Sequence, residues 1–395
     1  MRLTKLIQLI AAMTATIVSL QSCTDSKKTN NASNERIIVD LTPDPEAEIK
    51  LSDYFLPEYE TIILKGNLIG WINSVSKTDS LIIVEGNGEN GLLHTFDKNG
   101  NYIRPLLQKG QGPDEVKGLS TIKIRDNKVF ALVNYGKELW TIDPYSGKVE
   151  DKIQIPDIAL YPEDFAFIGN DIVFYKHNTN LALPDEQNNL YVYDPTLDSI
   201  KACYGSIDAE ACEYISFSRN GSIDNLDDTT VYYMNAFQQG VDKLDINGLH
   251  RKVEFSENAF TFPEAKLHGP NTFMGFIEYC KSCDYIWGHV EIFPTSNLIL
   301  SRFIHKEKNY FNIINLNAKK SQSALYIHDD IVTGSTFDLS IDNWGNIAGT
   351  TDREIYFIYP AELLVNENME SSKTISPFSG MSADDNDAII ILRER

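Results

Sequence analysis

The chain repeats itself. A hydrophobic strand that ends in an acidic or amide turn and is followed by a second strand recurs along its 395 residues. It reads LLHTFDKNGNYI from Leu92, LWTIDPYSGKV from Leu139, LYVYDPTLDSI from Leu190 and VDKLDINGLHRKV from Val241, then FNIINLNAKKS from Phe311 and, more weakly, IYFIYPAEL from Ile355. With Asp97, Asp143, Asp194, Asp245, Asn315 and Tyr359 as markers, the mean spacing is about 52 residues, close to the four-strand unit of a β-propeller. Six markers predict an all-β, six-bladed β-propeller.

The units divide into strands at turn signals. The first predicts strands over 69–76, 81–85, 92–97 and 102–107, separated by Lys77-Thr78-Asp79-Ser80, Gly86-Asn87-Gly88 and Lys98-Asn99-Gly100. The second and third units follow the same plan. Tyr and Phe number 19 each, which suits pleated, half-buried sheets. Only 360–370 reads as a helix, from its leading Pro and the Ala, Glu and Leu that follow. A ring needs closure, because an open one leaves sheet edges exposed. Two orphan strands, 60–65 and 388–392, are therefore expected to lie together in the last blade, so that the N- and C-terminal strands close it.

The first residues read as a targeting signal. Arg2 and Lys5 precede an apolar run from Leu6 to Leu20, and Ser22 precedes Cys23. This predicts a signal peptide over 1–22, a lipid on Cys23, a flexible tether over 23–36 and a propeller domain over 37–395. The expected location is the outer membrane, as a lipoprotein facing the periplasm or the cell exterior. The formal charge of −21 repels phosphate backbones, so nucleic acid is excluded as a partner. Cys203, Cys212, Cys280 and Cys283 are candidates for disulfides, with three connectivities open.

Lys109-Gly110-Gln111-Gly112-Pro113-Asp114-Glu115 directly follows the first outer strand. It resembles the G-x-G-P-x-E segment of the six-bladed β-propeller lipoproteins of Bacteroidetes, of the NHL/TolB-like kind. The opening Leu51-Ser52-Asp53-Tyr54 and the closing Asp385 to Leu392 are similar to that family's ends, and the chain departs from the pattern at Asp114. The resemblance implies fold and location and carries no activity.

In antiparallel blades, successive turns alternate between the two ends of the ring. One end should collect the 110–115 loop, the loops after His177, Phe237 and His305, and two long insertions at 205–221 and 256–284. Candidate binding residues on that face are Gln111, Asp114, Glu115, Tyr135, His177, Phe237 and His305. Tyr135, Trp140, Tyr161 and Phe237 are aromatic groups that could stack on sugar rings. Gly110-Gln111-Gly112-Pro113 lacks the Lys-Ser/Thr of a phosphate loop and reads as a tight crossing between blades. Cys280-Lys281-Ser282-Cys283 has redox or metal spacing without the second ligand pair or the strand-to-helix setting those uses need.

The function expected is capture of a ligand or protein partner, with a glycan or peptide fitting the chemistry, as an accessory to nutrient uptake. One alternative is a metal-dependent lactonase- or lyase-like enzyme at the central channel, where Asn73, Asp164, Asp224, Glu291 and Asp338 are inner-strand candidates. The other is a structural assembly subunit. No catalytic residue, metal ligand or cofactor is assigned.

Overall fold

The computed structural model describes residues 36–88, 91–159, 161–177, 188–207, 223–268, 273–339, 346–370, 378 and 380–395. Within them the chain is a β-propeller. The first blade is Ile72–Lys77, Leu81–Gly88, Gly91–Asp97 and Tyr102–Lys109, widened by Glu115–Val116. The second is Leu119–Arg125, Lys128–Val133, Glu138–Ile142 and Val149–Gln154, and the third Asp164–Ile168, Asp171–Tyr175, Asn188–Asp194 and Ser199–Ser206. The fourth is Ile223–Asp227, Thr230–Tyr233, Gly240–Asp245 and Gly248–Phe255, with Ile37–Val39 added in parallel at its outer edge. The fifth is Ile286–Pro294, Leu298–His305, Lys308–Asn315 and Lys320–Ala324.

The blade count is seven, and the six predicted from the repeat is corrected. The extra sheet has three short strands, Glu48–Lys50, Tyr326–Asp329 and Ser335–Asp338. It packs between the fifth and last blades, where Ile49, Ile327 and Phe337 share a core with Leu300, Phe311, Phe357 and Ile390. Its strands come from two distant parts of the chain, so no repeat could announce it. Past this small blade, the inner strands of the fifth and last blades still meet, and the last returns to the first.

The last blade runs Asn346–Thr350, Glu354–Tyr359, Ala388–Glu394 and Phe55–Ile63. The two chain ends are thus neighbours in one sheet, antiparallel, with Ile389 opposite Ile62 and Ile391 opposite Glu60. Side chains lock the joint. Buried Asn386 accepts from the Ile69 amide at 2.6 Å and donates to the Leu64 and Asn67 carbonyls at 3.1 and 2.7 Å. Buried Glu394 accepts from the Thr295 hydroxyl at 2.6 Å and from the Asn297 side chain at 3.0 Å, tying this blade to the fifth.

The repeated acidic residue has a local cause. Each of the first four markers ends a third strand or directly follows one, and its carboxylate accepts from backbone amides of the next turn. Asp97 takes Asn99 at 2.8 Å, Asp143 takes Tyr145 at 3.0 Å, Asp194 takes Thr196 at 2.8 Å and Asp245 takes Asn247 at 2.8 Å. The fifth, Asn315, takes Ala318 at 2.8 Å. This side-chain turn reverses the chain into the fourth strand. Tyr359 ends a second strand instead, so the sixth marker is out of register.

The core lies between blades. Leu93, Val129 and Trp140 fill the first seam, Leu139, Phe165 and Phe174 the second, and Val173, Tyr175 and Val231 the third. Among the described residues two short α-helices sit outside the sheets. One is the expected Ala361–Glu370; the other, Phe273–Ser282, lies in the 256–284 insertion and was not foreseen.

Strand direction puts the second-to-third turns and the blade-to-blade connections at one end of the ring. We call it the loop face. The other end carries tight turns such as Asp126-Asn127, where both residues adopt positive φ. Among the described residues no helix is long and apolar enough to cross a membrane.

Candidate functional site

The predicted face residues divide into supports and exposed groups. Glu115 is a support. Its carboxylate accepts from the Gln111 and Gly112 amides, both at 2.9 Å, so the Gly-Gln-Gly-Pro loop is tied to itself. Asp114 is exposed and pairs with Lys152 at 3.5 Å, while the Lys152 ammonium also donates to the Pro113 carbonyl at 2.6 Å and lies 3.8 Å over the Trp140 ring. Trp140 itself is a buried strand residue and presents no stacking surface. Phe237 packs on Phe262 and Phe276, at ring distances of 4.8 and 5.7 Å, and so holds the Phe273–Ser282 helix down. His305 is buried edge-on against Phe260 and Tyr310, and its pKa is lowered by burial first and by Lys306 second.

Tyr135 and Tyr161 behave differently. They are 64% and 43% exposed and sit on neighbouring connections of the second and third blades. Both adopt positive φ, +62° and +61°, a conformation that bulky residues adopt only when held there. What holds them is each other's loop. The Tyr161 amide donates to the Gly136 carbonyl at 3.2 Å, and a Cβ on Gly136 would come within 2.4 Å of the Pro162 carbonyl oxygen. The Tyr135 ring lies over Gly118, and the Lys137 ammonium stands 5.5 Å from the Tyr161 ring centre.

Two residues after Tyr161, Glu163 meets His177. The imidazole Nδ1 lies against Glu163 Oε2, which also accepts from the His177 amide at 3.1 Å. The ring is 9% exposed, and its Nε2 is buried without a hydrogen-bond partner among the described residues. Beside it Lys176 is buried above the Tyr191 ring, its pKa lowered by burial against the opposing pull of Glu163.

The central channel gathers a second polar group. Lys123, on the inner strand of the second blade, donates to Asp224 at 2.6 Å and stands 3.9 Å from Asp164. Asp224 also accepts from Thr350 of the last blade at 3.2 Å, so contacts cross the ring. Burial works to lower the Lys123 pKa, but the two carboxylates outweigh it and the net shift is upward. Nearby Glu85 accepts from Ser74 at 2.9 Å and Asn73 at 3.3 Å. Burial raises its pKa to about 7, against these hydrogen bonds and with added repulsion from Asp164. Of the inner-strand candidates, Asn73, Asp164 and Asp224 converge here. Glu291 lies on the fifth blade with Arg302 at 3.6 Å, and Asp338 ends the small blade. Lys123 and Glu85 were missed, because a lysine and a second-strand glutamate carry no mark of an axial position.

Glu85 sets a pH dependence. Folded, it holds its proton up to about 7; unfolded, it loses it near 4.5. Between those values the folded state binds more protons, so stability falls as pH rises, by roughly 3 kcal/mol across the window. Glu85→Gln, which still accepts from Ser74, is expected to remove this loss. Urea melts at pH 5 and pH 8 check it: the variant should exceed the parent at pH 8, and equal slopes for both would contradict the assignment.

Cys203 is disulfide-bonded, whereas Cys212 lies outside the described residues, as does Cys23. Cys280 and Cys283 are free thiols, which corrects the disulfide expected there. Cys280 is buried under the aromatic cluster at the end of the helix, and burial pushes its thiol up to about 12, which disfavours the reactive thiolate. Among the described residues no three His, Cys, Asp or Glu side chains are grouped to hold a metal ion.

Fold and site together define an all-β propeller with a rigid ring below and a structured loop face above. The chain belongs to the family described as a domain of unknown function, DUF4934, which matches residues 36–393. Its fold is similar to that of a Bacteroides fragilis protein described as exported, at 12% identity and a TM-score of 0.67, over 88% of this chain and 99% of that one. Weaker likenesses reach the extracellular domain of a one-component system from B. thetaiotaomicron and the hydrazine synthase of Kuenenia stuttgartiensis. The former has 13% identity and a TM-score of 0.37, over 67% of this chain and 29% of that one. The latter has 12% identity and a TM-score of 0.35, over 64% and 58%. No curated protein matches the chain. The family match is not specific to the NHL/TolB kind of propeller.

Proposed function

We propose that the protein is an exported propeller, held at the outer membrane by a lipid on Cys23, that captures a ligand or a partner protein on its loop face in support of nutrient uptake. The anchor is supported by Arg2, Lys5, the apolar run and Ser22-Cys23; mass spectrometry of the mature N terminus checks it. The observation that carries the binding role is one-sidedness. The exposed, strained tyrosines, the 256–284 insertion with its helix and the Glu163–His177 pair all stand at one end of a ring whose other end is tight turns.

A metal-dependent lactonase- or lyase-like reading is supported less well. The axial carboxylates Asp164 and Asp224 already share the Lys123 ammonium as counter-ion, so a single net negative charge is left there. Surface changes that leave the core untouched separate the two ends. Trp71, exposed on the connection from the last blade into the first, joins Tyr135 on the loop face, and Trp71→Ser with Tyr135→Ser should reduce retention of a partner isolated on the immobilised protein at least tenfold. Leu197 and Ile246, exposed in the third-to-fourth-strand turns of the third and fourth blades, lie at the opposite end, and Leu197→Ser with Ile246→Ser should leave it unchanged. The reverse pattern would move the site to the turn face.

A further inference from the structure

We infer that the turn face rests on the lipid bilayer through Tyr145, Leu197 and Ile246, so that the loop face points away from the membrane. This orientation rests on the lipid at Cys23 and goes beyond it, since an anchor alone fixes no face.

Two independent observations carry it. The first is the direction from which the chain enters the ring. Ile37–Val39 runs parallel to the outer strand Gly248–Phe255, with Ile37 opposite Val253 and Val39 opposite Phe255. That outer strand leaves the turn face and climbs to the loop face. Ile37–Val39 therefore climbs the same way, and Arg36 stands on its turn-face side. The loop-face end of the entering strand is covered. The Val39 carbonyl accepts from the Ser256 amide at 2.9 Å and the Leu41 carbonyl from the Asn258 side chain at 3.0 Å, so the start of the 256–284 insertion sits there. In register, Ile37 lies about 17 Å of strand above the turn at Gly248. The stretch from Cys23 to Arg36 spans up to about 45 Å. A lipid on Cys23 thus reaches a bilayer at the turn face directly. A bilayer at the loop face would require the same stretch to double back past the insertion.

The second observation is what the turn tips carry. Hairpin tips are ordinarily polar. Here the third-to-fourth-strand turns of the second, third and fourth blades carry Tyr145, Leu197 and Ile246, which are 46%, 68% and 91% exposed. The tips are held by side-chain turns: Asp143, Asp194 and Asp245 accept from the amides of Tyr145, Leu197 and Asn247 at 3.0, 3.1 and 2.8 Å. The fourth blade is also the one that Ile37–Val39 joins, so Ile246 stands on the blade where the anchored chain enters. Three separate tips at equivalent turns of neighbouring blades suit a flat leaflet, which meets them together. Single side chains of this kind hold no free protein at a membrane. A lipid on the same chain makes their contact intramolecular, at a high effective concentration, and they then decide which face is down. The formal charge of −21 is repelled by an anionic leaflet, so the leaflet that fits is zwitterionic.

The test uses the mature protein purified from membranes and placed in vesicles of phosphatidylcholine brominated near the headgroup end of its acyl chains. Mass spectrometry of the same sample reads the state of Cys23. Ile246→Trp and Leu197→Trp report from the turn face and Tyr135→Trp from the loop face, each read as the fluorescence added to that of the parent. Ile246→Trp and Leu197→Trp should each lose about half or more of the added fluorescence to the bromines, as expected for tips seated at the boundary of headgroups and acyl chains. Tyr135→Trp should lose none. With Cys23 lipidated, quenching of Tyr135→Trp alone, equal quenching of all three, or quenching of none would overturn the orientation and leave the anchor standing. An unmodified Cys23 in the mature protein would overturn the anchor and the orientation with it. Partner retention on the immobilised protein is read without lipid, so the loop-face reading stands or falls separately.

Discussion

Removal of residues 388–395 is expected to abolish cooperative folding of the whole ring rather than to loosen one blade. The deleted strand is the third of the last blade, between Glu354–Tyr359 and Phe55–Ile63, so its loss unpairs two neighbours at once. Ile389, Ile390, Ile391 and Leu392 are all buried. At roughly 1.5–3 kcal/mol each, these four side chains contribute about 6–12 kcal/mol, which matches the whole net stability of an ordinary domain, about 5–15 kcal/mol. The truncation also removes Glu394 and its link to Thr295 and Asn297 of the fifth blade. Circular dichroism during thermal melting should show no sigmoidal transition. A gentler variant, Asn386→Ala, leaves the strand in place but frees the Ile69 amide and two carbonyls, and should lower the transition without erasing it. A truncated chain that melts like the parent would mean that the ring is held elsewhere.

The second large effect belongs to Lys123. Lys123→Met should destabilise the domain by roughly 3–5 kcal/mol, because Asp164 and Asp224 would be left in the channel without their counter-ion. The origin of the loss is the unpaired charge and not lost packing, so Lys123→Met with Asp224→Asn should recover a good part of it. Chemical denaturation of the two variants measures the difference. Equal losses from the single and double changes would assign the effect to the volume of the lysine side chain.

What the sequence shows and what it hides follow from how far apart the interacting residues lie. The repeat was legible because its cause is local: Asp97, Asp143, Asp194 and Asp245 each bind amides of the turn they open. Closure by the two chain ends was legible because orphan strands in a ring have nowhere else to go. The small blade was not, since its strands are three or four residues long and one comes from the far N-terminal side. The Phe273–Ser282 helix was missed because its stability is tertiary: Phe276 and Cys280, four apart, face Phe262 and Trp287. At the site, His177 and Tyr135 were named on their place in the topology alone. The features that make them chemically notable, a buried bare Nε2 and a left-handed backbone, depend on Glu163 and on Gly136 with Pro162, and no spacing rule connects these. The channel cluster divides in the same way. Asp164 and Asp224 stood out as acids on inner strands, whereas Lys123 between them read as an ordinary polar position.

The most direct test of the central claim, that the loop face is the binding face, is photo-cross-linking in cells. A benzophenone side chain is placed at Tyr135 and, in a separate protein, at Ile246, which is 91% exposed on the turn face. Both positions are open to solvent, so folding and reach are matched. The account predicts a discrete adduct from position 135 and only background from 246. A discrete adduct from 246, with background from 135, would contradict it.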